Sequence, residues 1–325
     1  MSLKSAKKCR ALVLEGGGDM GSYEVGVLKA FVEFLPAEEV MYDVITGVSV
    51  GSINAMAIAL HQIGDEPTAI NWMLDLWGKL TSSNIYNDWP MGAAQGIFFE
   101  EGLWNNRGEA DYLNKTFEEF TDRKVYRKVN LNTVDFDDGE VYQYHEDYPF
   151  DGFAKAVTAS TSMPFAFPHT HLDNHTFVDG GTIWNIDLSG AVERCREVVD
   201  RDEDIIVDTI LCNGAQNITR DEHLTYNTIA NFQRYQQIRA YYGMLSDYDE
   251  VKREYPFVNF RYKLVPESDL PSGFLPLGFV HKDIEAMIEI GYEEGKKAIQ
   301  EGPDAAIERM RTFVKKTKDY DFDLS

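Results

Sequence analysis

The chain has 325 residues, 44% of them hydrophobic and 26% charged, and 54 acidic against 31 basic side chains give a net charge of −23. A chain this long can bury roughly three-quarters of its unfolded surface, as one large α/β domain or two modest ones. So negative a chain repels nucleic-acid phosphates and anionic membrane surfaces, which excludes nucleic acid as a primary partner. Cys9, Cys195 and Cys212 are odd in number and far apart, which predicts neither a disulfide framework nor a cysteine-based zinc site. Lys4, Lys7, Lys8 and Arg10 precede an apolar run, 11–14, too short for the roughly 7–15 residues of a signal-peptide core. No stretch approaches the ~20 apolar residues of a transmembrane helix. The expected location is therefore the reducing cytoplasm, with peripheral contact to membranes.

The first half alternates strand, turn and helix. Residues 11–14 read as a strand stopped by Gly16-Gly17-Gly18. Val25, Leu28, Val32 and Leu35 recur at helical spacing until Pro36 closes the helix. A second strand over 42–46 is turned by Gly47, and 50–60 is a helix rich in small residues. Such alternation predicts a mainly parallel sheet with helices on both faces. Residues 72–106 carry four of the five tryptophans among glycines, and read as a helix followed by an irregular apolar segment. That segment either packs in the core or covers a site.

Strands over 131–136 and 141–144 flank Asp137-Asp138-Gly139, a hairpin signal. Asp151 is placed to N-cap a helix running to about Ser160. Residues 205–211 read as a buried strand, 221–254 as a charged helix and 257–265 as the last strand. An apolar loop over 270–280 leads into two final helices. No repeat, linker or domain boundary interrupts the pattern.

Two glycine motifs carry the chemistry. Gly47-Val48-Ser49-Val50-Gly51 is a GxSxG between strand and helix. That is the setting of a nucleophile elbow, whose glycines relieve a tight turn and whose serine stands at a helix N-terminus. Gly16-Gly17-Gly18-Asp19-Met20-Gly21 also joins a strand to a helix. It satisfies GxGxxG, the dinucleotide fingerprint, and Glu38 and Glu39 lie at about the right distance for its ribose-binding acid. They fall before the second strand, however, and the end of that strand is occupied by the elbow. The alternative use is a nest of N–H groups cradling an anion at the same sheet edge as the serine.

A serine nucleophile needs a base, and of the seven histidines only His281 follows every candidate acid. Thr176-Phe177-Val178-Asp179-Gly180-Gly181 instead delivers a carboxylate from an apolar strand to a double-glycine turn. His169-Thr170-His171-Leu172-Asp173-Asn174-His175 approaches the HxHxDH of metallo-hydrolases, but Asn174 interrupts it. A hairpin turning at Asp173-Asn174 is the favoured reading.

Glycine-rich loop, GxSxG about 30 residues later, then Asp-Gly-Gly resembles the patatin-like phospholipase family. Ala159-Ser160-Thr161-Ser162-Met163-Pro164 is similar to its AS-x-x-x-P block, and the helix over 279–291 looks like its closing helix. These blocks cover about residues 11–187 of what reads as a single domain, 1–325. The resemblance implies a three-layer α/β/α fold and a metal-free, cofactor-free lipid acyl hydrolase with a Ser–Asp dyad. Ser49 would be the nucleophile and Asp179 the base, supported by Gly47, Gly51, Gly180 and Gly181. Gly16, Gly17, Gly18, Asp19, Met20 and Gly21 would form the oxyanion loop.

The chain departs from the family at Met20, where a basic residue is usual, and at Asn185-Ile186-Asp187, where Asn-Asn-Pro is frequent. The expected substrates are esters of phospholipids, lysophospholipids or glycerides. Transient contact with a neutral or zwitterionic lipid surface is expected through segments such as 273–277. A catalytically silent lipid-binding module and a nucleotide-binding oxidoreductase are the alternatives from other classes.

Overall fold

The computed structural model describes residues 7–216, 227–273 and 275–317. In chain order the elements are β1 (Cys9–Leu14), α1 (Gly21–Phe34), β2 (Val44–Val48), α2 (Val50–Ala59), α3 (Glu66–Lys79), α4 (Ser82–Ile85), α5 (Ala93–Phe99), α6 (Arg107–Phe117), β3 (Lys128–Asp135) and β4 (Val141–Tyr144). Then follow α7 (Phe153–Thr161), β5 (Thr170–Leu172), β6 (His175–Asp179), α8 (Leu188–Arg196), β7 (Ile205–Ile210), α9 (Thr228–Glu254), β8 (Asn259–Leu264), α10 (His281–Glu301) and α11 (Ala305–Thr317).

The strands form one mixed sheet in the order β5-β6-β3-β2-β1-β7-β8, with β4 paired to β3. The pairs among β3, β2, β1, β7 and β8 are parallel, and β4, β5 and β6 add antiparallel edges. Alternation along the strands divides the core into two layers, because successive side chains point to opposite faces. Leu12, Leu14, Ile45 and Ile210 pack with residues of α1, α2, α7 and α10. Ala11, Val13, Val44 and Val207 pack with residues of α8, α9 and α11. This is a three-layer α/β/α architecture.

Four local expectations need correction. Cys9 of β1 and Cys195 of α8 are joined in a disulfide, leaving Cys212 free and buried. The fold closes a separation of 186 residues that the sequence gives no means of pairing, and the cytoplasmic expectation loses the support it drew from the cysteine count. Asp151 does not cap α7. It lies in a 3-10 turn and pairs with Arg123, while Gly152 takes the N-cap without a side-chain bond. Gly47 lies inside β2, and the chain turns at Ser49. The segment over 72–106 is three helices, and both readings of it hold in part. Trp77 is buried against Phe279, whereas Ile85 lines the main cavity.

The 137–139 hairpin forms as expected. So does the turn at Asp173 and Asn174, whose φ values of 51° and 66° suit a two-residue loop with both central residues left-handed. Of the helix expected over 221–254, residues 221–226 lie outside the described residues. No described helix is long and apolar enough to cross a membrane.

Candidate active site

β1 and β2 are parallel neighbours, with Leu14 opposite Gly47. The glycine loop and the GxSxG turn therefore leave the sheet side by side at one edge. Ser49 holds φ 54° and ψ −126° as the residue immediately before α2. A non-glycine residue in that region costs on the order of 1–3 kcal/mol, which the surroundings must offset. They permit only glycine on either side. A Cβ on Gly47 would stand 2.3 Å from the Gly51 carbonyl oxygen, and one on Gly51 2.5 Å from that of Leu14. The Ser49 N–H donates to Ser160 Oγ at 3.0 Å, and Ser160 in turn donates to the Asn132 carbonyl at 2.6 Å. The AS-x-x-x-P block thus braces the elbow from behind.

Val48 pairs with Asn132 on β3, and Thr133 pairs with Asp179 on β6. Two registers thereby bring the end of β6 level with Ser49. The Asp179 N–H is anchored on the Ser162 carbonyl at 2.9 Å, and its Oδ1 accepts the Gly181 N–H at 2.7 Å. The Ser49 side chain lies near enough to this carboxylate to favour its charged form. Burial raises the Asp179 pKa to about 6, against the lowering effect of Ser49 and of the Gly181 bond.

The six residues of the glycine loop do not act alike. Gly16 N–H donates to the Asn185 carbonyl, Asp19 N–H to Pro276 and Met20 N–H to Gly17. Gly17 and Gly18 N–H have no acceptor among the described residues. Gly18 needs its glycine twice over, at φ 59° and with the Pro276 oxygen 1.8 Å from where a Cβ would be. Asp19 turns away from this face. Its buried carboxylate accepts from Ser272 Oγ at 2.6 Å and from the N–H groups of Gly278 and Phe279. It therefore ties the 270–280 loop over the glycine loop. Leu277 is buried there, Leu275 and Pro276 are half-buried, and Phe274 lies outside the described residues. Gly21 opens α1.

Several polar residues escaped the sequence reading. Buried Glu15, just before the glycines, accepts the N–H groups of Cys212 and Asn213 at 2.8 Å and the Asn185 amide at 3.0 Å; burial raises its pKa to about 7. Asp187 caps α8 and accepts from Asn130, Asn132 and Gln143. Glu109 is buried on α6, accepts Thr161 Oγ1–H at 2.9 Å, and has its pKa pushed up to about 8 by burial. Buried carboxyls held by amides carry no motif, though Asn185 and Asp187 already stood out as departures.

A cavity of about 710 Å³ opens over Ser49, Asp179 and Gly16–Gly18. Its wall includes Ile53, Ile85, Met163, Phe167, Leu277 and Phe279, which suit an acyl chain. His281 lies outside it, largely exposed and paired with Glu285. Glu38 and Glu39 belong to a 3-10 turn before β2, and Glu39 pairs with Arg261. Neither glutamate lines the cavity. His169 approaches Glu101, and His175 pairs with Asp135. No group of three or more His, Cys, Asp or Glu side chains among the described residues is arranged to hold a metal.

A three-layer α/β/α sheet with a serine at a strained strand-to-helix turn, a buried aspartate in the same cavity and a glycine loop beside both defines an α/β protein with its polar centre at one sheet edge. The patatin-like phospholipase family matches residues 12–192, more than half of the sequence. The chain belongs to that family. It is 28% identical over 183 residues to triacylglycerol lipase 5 of Saccharomyces cerevisiae, a match spanning 51% of this chain and 23% of that one. Triacylglycerol lipase 4 of the same yeast is 26% identical over 176 residues, 50% and 18% of the two chains. An uncharacterized protein, R571, of Acanthamoeba polyphaga mimivirus is 26% identical over 191 residues, 57% and 62%. The chain thus spans less than a quarter of the length of the yeast relatives. VipD from Legionella pneumophila is a solved structure with a distant likeness: TM-score 0.41 at 12% identity, covering 91% of this chain and 67% of that one.

Proposed function

We propose that the chain is a lipid acyl hydrolase that cleaves carboxylic esters of phospholipids, lysophospholipids or glycerides. Ser49 Oγ attacks the ester carbonyl while Asp179 takes its proton. The Gly17 and Gly18 N–H groups donate to the tetrahedral oxyanion, with the N-terminus of α2 adding its positive dipole end. Asp179 then returns the proton to the leaving alcohol, and water repeats the cycle on the acyl-enzyme. Gly47, Gly51, Gly180 and Gly181 keep both turns tight, and residues 1–325 act as one unit. The printed names of the yeast relatives favour glycerides within this class. The chain works at lipid surfaces.

The observation that carries the reading is that Ser49, the buried Asp179 and the glycine loop line one cavity with an apolar wall, where the Gly17 and Gly18 N–H groups have no acceptor among the described residues. A carboxylate fully solvated near pH 4 would be too weak a base, and burial moves Asp179 toward neutrality. Labelling with a fluorophosphonate tests it. The wild-type chain should form a covalent adduct at Ser49, and Ser49→Ala and Asp179→Asn should lose both labelling and ester hydrolysis while folded. An unlabelled, inert but lipid-binding wild type would establish the silent binding module instead.

A further inference from the structure

The described surface carries a cluster of large apolar side chains whose exposure the core does not explain. Phe98 and Phe99 at the end of α5 are 74% and 76% exposed, Phe165 is 68% and Trp184 is 60% exposed, with Ile183 beside it. Soluble proteins scatter such residues singly, whereas a cluster marks a contact surface. These residues gather around one opening. Phe165 lies between Pro164 and Phe167, and Ile183-Trp184 between Thr182 and Asn185, all four of which line the cavity over Ser49. The segment after α5 is fastened to the same rim, since the Leu103 N–H donates to the Phe165 carbonyl at 3.0 Å and Gly102 pairs with Phe165, and Gly96 of α5 packs directly on Gly102.

Phe165 adds a second observation. Its φ is 74°, a left-handed conformation that a bulky side chain adopts only against a steric penalty. Burial does not offset that penalty, because the ring faces water. Charge then selects the partner. There is no lysine or arginine between Leu80 and Arg107, nor between Lys155 and Arg194, so neither rim-bearing segment offers a cation to an anionic surface. Glu100 and Glu101, immediately after Phe99, add negative charge there.

We propose that Phe98, Phe99, Phe165, Ile183 and Trp184 form a docking surface that seats the chain on a neutral or zwitterionic lipid–water interface, with the cavity mouth turned to the lipid. The apolar rings enter the interface, and the two segments that carry them offer anionic lipid no lysine or arginine. That the cavity then draws substrate from the lipid rests on the acyl-hydrolase reading; the docking itself does not.

The test uses the full chain carrying Ser49→Ala, so that binding is read without turnover. With phosphatidylcholine vesicles it should co-float, and its tryptophan emission should shift to the blue, a shift that Trp184→Phe removes. Phe165→Ser, and Phe98→Ser with Phe99→Ser, should each weaken partitioning by about tenfold or more. In the chain with Ser49 intact, the same phenylalanine changes should leave turnover of a soluble short-chain ester unaltered. Absence of phosphatidylcholine binding, undiminished binding by the phenylalanine variants, or tighter binding to phosphatidylserine vesicles would overturn the proposal. So would a concentration-dependent dimer abolished by these substitutions without any vesicle binding, which would make the patch a contact between copies. A chain with Ser49 that binds vesicles but leaves the soluble ester intact sinks the hydrolase reading alone.

Discussion

Asn185 clasps Gly16 from both sides. Its carbonyl accepts the Gly16 N–H at 3.2 Å, and its side-chain amide donates to the Gly16 carbonyl at 2.8 Å. The loop that follows Asp179 is thereby fastened to the loop that presents Gly17 and Gly18, and the same amide reaches Glu15. One residue holds the glycine loop and the loop after Asp179 in register.

Asn185→Ala should accordingly lower kcat on a soluble ester by about 10–100-fold with KM little changed, because small misplacement of oxyanion donors costs on that order. Circular dichroism checks that the variant is folded. A kcat equal to that of the parent would show that the glycine loop holds itself.

In the proposed mechanism Asp179 must be ionised in the free enzyme to take a proton. Its folded pKa is raised above the ordinary 3.8 to about 6, so the active fraction falls as pH drops through 6 and reaches a plateau above it. A pH profile of kcat/KM on a neutral soluble ester should show this acid limb near 6. A limb near 4 would mean that the carboxylate is solvated when the enzyme is free.

Glu109 predicts a pH-dependent stability. Its folded pKa of about 8 lies above the unfolded 4.5, so the folded state binds the extra proton. Its contribution is fully present below pH 4.5 and is lost as pH rises through 8. Glu109→Gln keeps an oxygen for Thr161 and cannot ionise. Urea titrations should find it more stable than the parent at pH 8, by an amount on the order of a few kcal/mol, and nearly equal at pH 4.5. Equal stability at both pH values would indicate that water reaches Glu109.

Ser49 sits at φ 54°. Relative to Ser49→Ala, Ser49→Gly should therefore melt higher, by roughly 1 kcal/mol after the greater flexibility of unfolded glycine is counted, while both are inactive. A lower melting temperature for the glycine variant would argue that the elbow is not strained.

The Cys9–Cys195 bridge ties the chain's first strand to α8. Thiol titration of protein unfolded without reductant should give one reactive thiol, from Cys212. Reduction should lower stability by about 2–5 kcal/mol. Three thiols in protein isolated without reductant would restore the reducing-compartment expectation.

The sequence by itself determined the parts of the site that are local. Gly47, Gly51 and the run Gly16–Gly18 mark places where the backbone must turn tightly or approach another chain segment, and that demand is written in residue type. The double glycine after Asp179 and the turn at Asp173-Asn174 are legible for the same reason, as is the strand–helix alternation that makes a parallel sheet. What only the tertiary structure decided are relations between residues far apart in the chain. The registers through β3 bring Asp179 level with Ser49, and no local pattern encodes a register two strands away. Desolvation depends on what covers a group, so the raised pKa values of Asp179, Glu15 and Glu109 emerge only once helices and loops close over them. The disulfide depends on Cys9 and Cys195 meeting across β1 and α8. The separate duties within the glycine loop, two N–H groups with no acceptor among the described residues and one aspartate holding down the 270–280 loop, follow from long-range hydrogen bonds that composition cannot express.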